Sequence, residues 1–146
     1  MKGADGLIPV KIFIESTIEQ PGEEKEVIEQ ELDGRFQMKE EEWILRYTEN
    51  EGKPDEVRTS VRSFPEKITI ARQGPVSYRQ TYAPGKTMES VVHTPAGKTE
   101  MEVTTLVYER DWSGKEGRIR FTFLLHMGSQ DLGQYQLSLK WMEAGK

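Results

Sequence analysis

The chain of 146 residues contains no cysteine and only two histidines, His93 and His126. The first absence excludes disulfide bonds and thiolate chemistry, and neither histidine has a partner at a metal-ligand spacing. No apolar run approaches the length that crosses a membrane, and no secretory signal core stands near the start of the chain. We therefore expect a cytoplasmic protein with no metal site, no cofactor and no membrane partner.

An excess of positive charge is also absent, because 25 acidic residues outnumber 20 basic ones and the net charge is −5 at pH 7. This balance argues against nonspecific nucleic-acid binding, so no nucleic-acid partner is expected. The charge is unevenly spread, since residues 1–56 are strongly acidic whereas residues 57–98 carry seven basic and two acidic side chains. Either the acidic and basic strands neutralise each other in the fold, or the basic segment serves an acidic partner.

Alternation of apolar and polar residues dominates the chain, and no stretch outside residues 23–32 has a helical period. The clearest examples are the last two strands, with Ile119, Phe121, Phe123 and Leu125 followed by Tyr135, Leu137, Leu139 and Trp141. Turn signals rich in Gly and Pro separate such segments, which is typical of a sandwich or barrel. We predict an all-β, antiparallel, closed up-and-down barrel of about eight to ten strands. It forms a single domain over residues 1–146, with residues 1–8 as a flexible lead-in.

Two local features need interpretation. Residues 23–32 are rich in Glu, Lys and Gln, which favour helix, but Ile28, Gln30 and Leu32 also alternate as in a strand. We predict a strand here, because Asp33-Gly34 follows it like a hairpin turn. Along a later strand, Met101, Val103, Thr105 and Val107 are predicted to share one face.

Catalytic motifs are not found. Gly85-Lys86-Thr87 and Gly97-Lys98-Thr99 imitate the end of a phosphate-binding loop but lack the earlier glycine and a following helix. Glu40-Glu41-Glu42 is interpreted as a solvated turn, since neighbouring side chains on a strand point to opposite faces. No catalytic residue is predicted, and enzymatic activity ranks third among the functional hypotheses.

Arg72 is the most informative side chain for function. It shares the phase of Ile68 and Ile70, so alternation directs it into the barrel, where an unpaired guanidinium is costly. It could reach solvent at the barrel end, pair with a neighbouring strand, or bind an anionic ligand. The predicted ligand-binding residues are Arg72, Tyr78, Gln80 and Tyr82, with Gln30 as a further inward polar candidate and Phe121, Phe123, Leu137 and Trp141 as the apolar wall.

The opposite face carries a second candidate site. Arg46, Arg58, Arg62 and Arg79 are all out of phase with their apolar neighbours, and they fall on strands that follow closely in sequence. In a meander these strands are neighbours, so the four side chains would form a basic outer patch. This patch is either an ordinary solvated face or a docking site for an acidic protein partner.

Several short motifs occur in a characteristic order. They are Ile70-Ala71-Arg72-Gln73-Gly74, then Gln80 with Tyr82 and Gly85, then Gly117-Arg118-Ile119, then His126-Met127-Gly128. In this layout the chain resembles the YwiB-like family of small uncharacterised proteins from Bacillus-type bacteria. The resemblance implies a calycin-type, lipocalin-like β-barrel and implies no catalytic residues.

Two functions from different classes remain. The first is a noncatalytic intracellular module that binds a small, partly apolar and anionic molecule inside the barrel. The alternative is a protein-interaction domain with a filled barrel and a basic outer docking face.

Overall fold

The computed structural model describes residues 6–144, which form ten β-strands. The strands are β1 (Ile8–Glu19), β2 (Glu26–Lys39), β3 (Glu42–Glu49), β4 (Val57–Ser63), β5 (Ile68–Gln73), β6 (Tyr78–Tyr82), β7 (Thr87–Thr94), β8 (Gly97–Ser113), β9 (Glu116–Met127) and β10 (Gln130–Glu143). Within the predicted lead-in, residues 1–5 lie outside the described part, and β1 already begins at Ile8. A helix long and apolar enough to span a membrane does not occur in residues 6–144.

All ten strands belong to one antiparallel sheet that curls almost completely round. Strands β1 to β6 pair in sequence order, strands β7 to β10 do the same, and β10 pairs with β1 from Val10 opposite Glu143 to Glu19 opposite Gln134. The remaining seam, between β6 and β7, is joined by a single backbone bridge from Ser77 to His93. The prediction of an antiparallel up-and-down barrel of eight to ten strands is therefore confirmed, with ten strands and near closure.

The alternation seen in the sequence separates the inside of the barrel from the outside. The inward positions of β1, β9 and β10 include Ile12, Phe121 and Leu139, each at most 1% exposed. Because these strands are adjacent, their inward side chains pack in layers and supply much of the hydrophobic core. The predicted common face of the last two strands is present, with Leu137 only partly buried at its edge.

One end of the barrel is filled by an aromatic cluster, which consists of Phe36, Trp43, Trp112 and Trp141. Its ring centroids lie 5.1–6.3 Å apart. Arg110 covers this end, because its guanidinium lies 4.2 Å from the Trp43 ring centroid and donates to the backbone oxygens of Glu41 and Ser63. The four rings and Arg110 therefore occupy the interior at this end.

The predicted hairpin turn at Asp33-Gly34 is wrong. Both residues lie inside β2, and the chain reverses instead at Glu40, whose φ of 59° is left-handed. Gly34 is needed for close packing, since a Cβ there would lie 2.4 Å from Ile12 Cδ1 and 2.7 Å from the Arg46 carbonyl oxygen. The Asp-Gly pair therefore marks a close approach of strands, whereas the predicted strand before it is present. Of the predicted solvated turn Glu40-Glu41-Glu42, the first two residues form the turn, and Glu42 already begins β3 and pairs with Arg62.

The predicted phase of β8 is wrong after Thr105. A register shift between Thr105 and Val107 marks a β-bulge, which exchanges the two faces of the strand. Val107 is consequently 48% exposed, whereas Tyr108 and Arg110 point towards the filled end. A bulge inserts one residue without any compositional signal, so alternation alone could not locate it.

Candidate functional site

The barrel end opposite the aromatic cluster contains an internal cavity of about 270 Å³. Its walls are mostly aliphatic and aromatic, and its rim is polar. The lining residues are Ile14, Ser16, Gln30, Tyr47, Glu49, Thr59, Ile70, Arg72, Tyr78, Tyr82, Met101, Phe123, Leu125, Met127, Tyr135, Gln136 and Leu137. A concave apolar site with a few converging polar groups is the usual form of a small-molecule site.

The polar rim follows from strand register. Tyr47 pairs with Thr59, Thr59 pairs with Arg72, and Arg72 pairs with Tyr78, so the four side chains form one inward row across β3, β4, β5 and β6. All four side chains line the cavity. Within this row Thr59 Oγ1 is buried and has no hydrogen-bond partner among the described residues.

Arg72 lies at the mouth of the cavity, beside one carboxylate. Its Nη1 atom is 3.9 Å from Glu49 Oε1, and its side chain is 33% exposed. The other oxygen of Glu49 accepts a hydrogen bond of 2.8 Å from Gln30 Nε2. Within residues 6–144 the guanidinium makes no hydrogen bond, and its one ion pair is this loose contact with Glu49.

The tyrosines of this site stay protonated at neutral pH. Burial raises the pKa of Tyr47 to about 12, and the Glu49 carboxylate adds to this rise. Thr59 and Arg72 each lower the pKa of Tyr47 and so offset part of this rise, although the Thr59 hydroxyl falls outside hydrogen-bonding geometry. Burial also raises the pKa of Tyr78, against the effect of Arg72, and that of Tyr82. Their hydroxyls are therefore neutral groups that can donate hydrogen bonds to a bound molecule.

Gln80 points inward as its phase predicts, but its amide is used by the barrel itself. Its Oε1 accepts from Ser90 Oγ at 2.6 Å, and its Nε2 donates to the carbonyl oxygens of Thr81 and Met88 at 2.9 and 3.3 Å. These bonds tie β6 to β7 where no backbone ladder exists. Gln80 is 1% exposed and does not line the cavity, so the structure separates it from Arg72, Tyr78 and Tyr82.

The predicted apolar wall divides between the two ends of the barrel. Phe123 and Leu137 line the cavity, Phe121 lies beneath it in the core, and Trp141 belongs to the aromatic cluster. Sequence reasoning missed several lining residues, among them Tyr47, Thr59 and Glu49. Glu49 shares the phase of Trp43, Leu45 and Tyr47, so alternation predicts that its side chain faces inward, as it does for Arg72.

The four predicted outer arginines are exposed and line one open groove on the outside of β2 to β6. The groove brings together Arg35, Arg46, Arg58, Arg62 and Arg79. Arg62 is paired with Glu42, and Arg58 lies 2.7 Å from a Glu56 carboxylate oxygen. Arg46 and Arg79 have no ion pair within the described residues, so the uncompensated part of the patch is smaller than the sequence suggests.

Metal chemistry has no ready ligand set in the described part of the chain. No group of three or more His, Asp or Glu side chains there is arranged to hold a metal ion. The paired rim charges, Glu49 and Arg72, are of opposite sign and are better suited to a polar organic group.

Comparison with known proteins gives the family. A search of curated proteins found no match. A crystal structure of the ywiB protein from Bacillus subtilis is similar with a TM-score of 0.82 and 22% sequence identity, over 96% of this chain and 94% of that one. This likeness shows the fold. A family model described as a domain of unknown function, DUF1934, matches residues 12–139. The resemblance predicted from the sequence motifs is thus confirmed, and the chain belongs to the DUF1934 family.

Proposed function

We propose that this protein is a noncatalytic cytoplasmic module that binds one small, partly apolar molecule with an anionic group. The observation that carries the proposal is the internal cavity of about 270 Å³ with the Arg72 guanidinium at its mouth. The absence of cysteine supports the cytoplasmic part of the proposal.

The apolar part of the ligand would lie among Ile14, Phe123, Leu125 and Leu137. Each methylene group that leaves water there contributes about 0.8 kcal/mol. The cavity, at about 270 Å³, is slightly smaller than the usual range for ligand sites, roughly 300–1,000 Å³. A single short alkyl or aryl group is therefore the expected size.

The anionic part would bind at Arg72. A guanidinium forms charge-assisted hydrogen bonds with a carboxylate or phosphate, and these are stronger than bonds between neutral groups. Tyr78 lies next to Arg72 on the paired strand and offers a neutral hydroxyl.

The test uses octanoate as the ligand and Arg72→Met as the variant. We expect octanoate to shift the backbone amide NMR signals of cavity residues in the wild type, and Arg72→Met to weaken its binding about 10- to 100-fold. This range corresponds to about 1.5–3 kcal/mol for one hydrogen bond to a charged group. Octanamide is uncharged and of similar shape, so Arg72→Met should lower its affinity by less than about threefold.

Stability provides the control for this variant. The Glu49 ion pair is long and partly exposed, so Arg72→Met should change the free energy of unfolding by less than about 1 kcal/mol. A loss of several kcal/mol would instead identify Arg72 as a structural residue. Octanoate binding outside the cavity, or equally well to the variant, would contradict the proposal.

A second candidate function is docking of an acidic protein segment in the outer groove. It is favoured by the exposed positions of Arg46 and Arg79 in one groove, with no ion pair to either within the described residues. An acidic segment could pair with these two arginines, beside Glu31, Asp33 and Glu51 of the same groove, and such contacts weaken with added salt.

This alternative is tested with a hexaglutamate peptide at low ionic strength. We expect the double variant Arg46→Glu/Arg79→Glu to reduce its affinity at least about tenfold, because two attractive contacts become repulsive. Arg118→Glu/Arg120→Glu is the matched control, since both side chains are exposed on β9 and away from the groove. If both double variants lost the same affinity for the peptide, the effect would be due to net charge alone.

A further inference from the structure

Two side chains of opposite charge lie close together at the mouth of the cavity, without a hydrogen bond between them. Glu49 Oε1 and Arg72 Nη1 are 3.9 Å apart, which is longer than a hydrogen bond. Gln30 Nε2 donates a hydrogen bond of 2.8 Å to the other oxygen of Glu49. Among the described residues, neither Oε1 of Glu49 nor the Arg72 guanidinium takes part in a hydrogen bond, so both retain bonding capacity.

This arrangement is unfavourable for a ligand with one charge. A lone anion at Arg72 would also lie near the Glu49 carboxylate, and a lone cation at Glu49 would lie near Arg72. Like charges at such short range repel, and partial burial of both side chains reduces the screening by water. A head group that carries both charges avoids either repulsion.

We infer that the ligand is a zwitterion of the α-amino acid type, whose carboxylate binds Arg72 and whose ammonium group binds Glu49. This inference rests on the proposed function and narrows its ligand class. In an α-amino acid both charged groups are attached to one carbon atom, which matches two side chains only 3.9 Å apart. The single apolar side chain then extends into the cavity towards Phe123 and Leu125.

The volume of the cavity favours this class over larger zwitterions. At about 270 Å³ it has room for one short apolar chain and a compact head group.

The experiment compares three molecules with the same hydrocarbon chain by NMR titration of the wild-type protein. They are L-2-aminooctanoate, octanoate, which lacks the ammonium group, and heptylamine, which lacks the carboxylate. We expect the amino acid to bind at least about tenfold more tightly than either single-charge compound, since it alone satisfies both rim charges.

Glu49→Gln provides the second measurement, because it removes one charge and keeps the shape. It should lower the affinity for L-2-aminooctanoate at least about tenfold. It should raise the affinity for octanoate, since the variant no longer repels the anion. Glu15→Gln, an exposed carboxylate on the outer face of β1, should change neither affinity. Opposite responses of the two ligands to one substitution would not arise from a merely structural role of Glu49.

The outcomes separate this inference from the proposed function. If octanoate binds as tightly as L-2-aminooctanoate, or responds to Glu49→Gln in the same direction, the zwitterion inference is overturned while the binding function stands. If none of the three molecules binds in the cavity, both are overturned. The wild-type titrations alone distinguish these outcomes even if Glu49→Gln fails to fold.

Discussion

Replacing Phe121 with alanine is expected to lower the free energy of unfolding by about 3–5 kcal/mol. Phe121 is 0% exposed, and its ring centroid lies 4.8 Å from that of Tyr82 and 5.7 Å from that of Phe123. Truncation would remove these contacts and leave a hole in the centre of the barrel, where both flanking strands, β8 and β10, hold the backbone in place. Urea unfolding of the wild type and the variant measures the difference.

Phe13→Ala is the matched control for Phe121→Ala. Phe13 lies on the outer face of β1, where its ring is only partly covered and the Lys140 ammonium nitrogen is 5.6 Å from its centroid. We expect a loss of about 1 kcal/mol or less from this variant. If the two alanine variants cost the same, the assignment of inner and outer faces would be wrong.

Gly133→Ala should also cost about 3–5 kcal/mol, through the backbone rather than through lost packing. Gly133 has a φ of 95°, in the region that favours glycine, at the β-bulge that begins β10. A Cβ atom there would lie 2.2 Å from the Glu19 carbonyl oxygen and 3.0 Å from Gln20 Cα. Backbone strain and this collision each contribute about 1–3 kcal/mol, and the neighbouring backbone cannot rotate aside as a side chain could.

Gly114→Ala separates the two contributions. Gly114 also has a positive φ, of 63°, but a Cβ atom there would meet nothing within 4 Å. Only the cost of a left-handed backbone conformation applies, so we expect the free energy of unfolding to fall by about 1–2 kcal/mol. Thermal or urea unfolding of both variants tests this difference, and equal losses would show that the collision at Gly133 is relieved by a small backbone shift.

The arrangement of the candidate site is partly readable from residue phase. Phase assigns Arg72, Tyr78 and Tyr82 to the interior because a strand places every second side chain on one face. All three line the cavity, and the same rule applied to β3 adds Glu49. For Gln80 the rule gives the correct face but cannot give the partners, because Ser90 and Met88 lie on the strand across the open seam.

The sequence by itself determined that the chain forms antiparallel strands and which side chains of most strands face inward. That information is local, since it comes from a period of two residues and from turn-forming residues at strand ends. Tertiary structure decided the departures from it, namely the bulge that exposes Val107, the close packing that needs Gly34 within a strand, and the seam between β6 and β7.

Tertiary structure also decided which end of the barrel is open. The aromatic residues that the sequence distributes over β2, β3, β8 and β10 meet at one end, where Arg110 covers them. At the other end, register sets Arg72 and Glu49 at one mouth, although they belong to different strands, β5 and β3. Alternation specifies the direction of each side chain but not its height along the barrel, which only the pairing of strands determines.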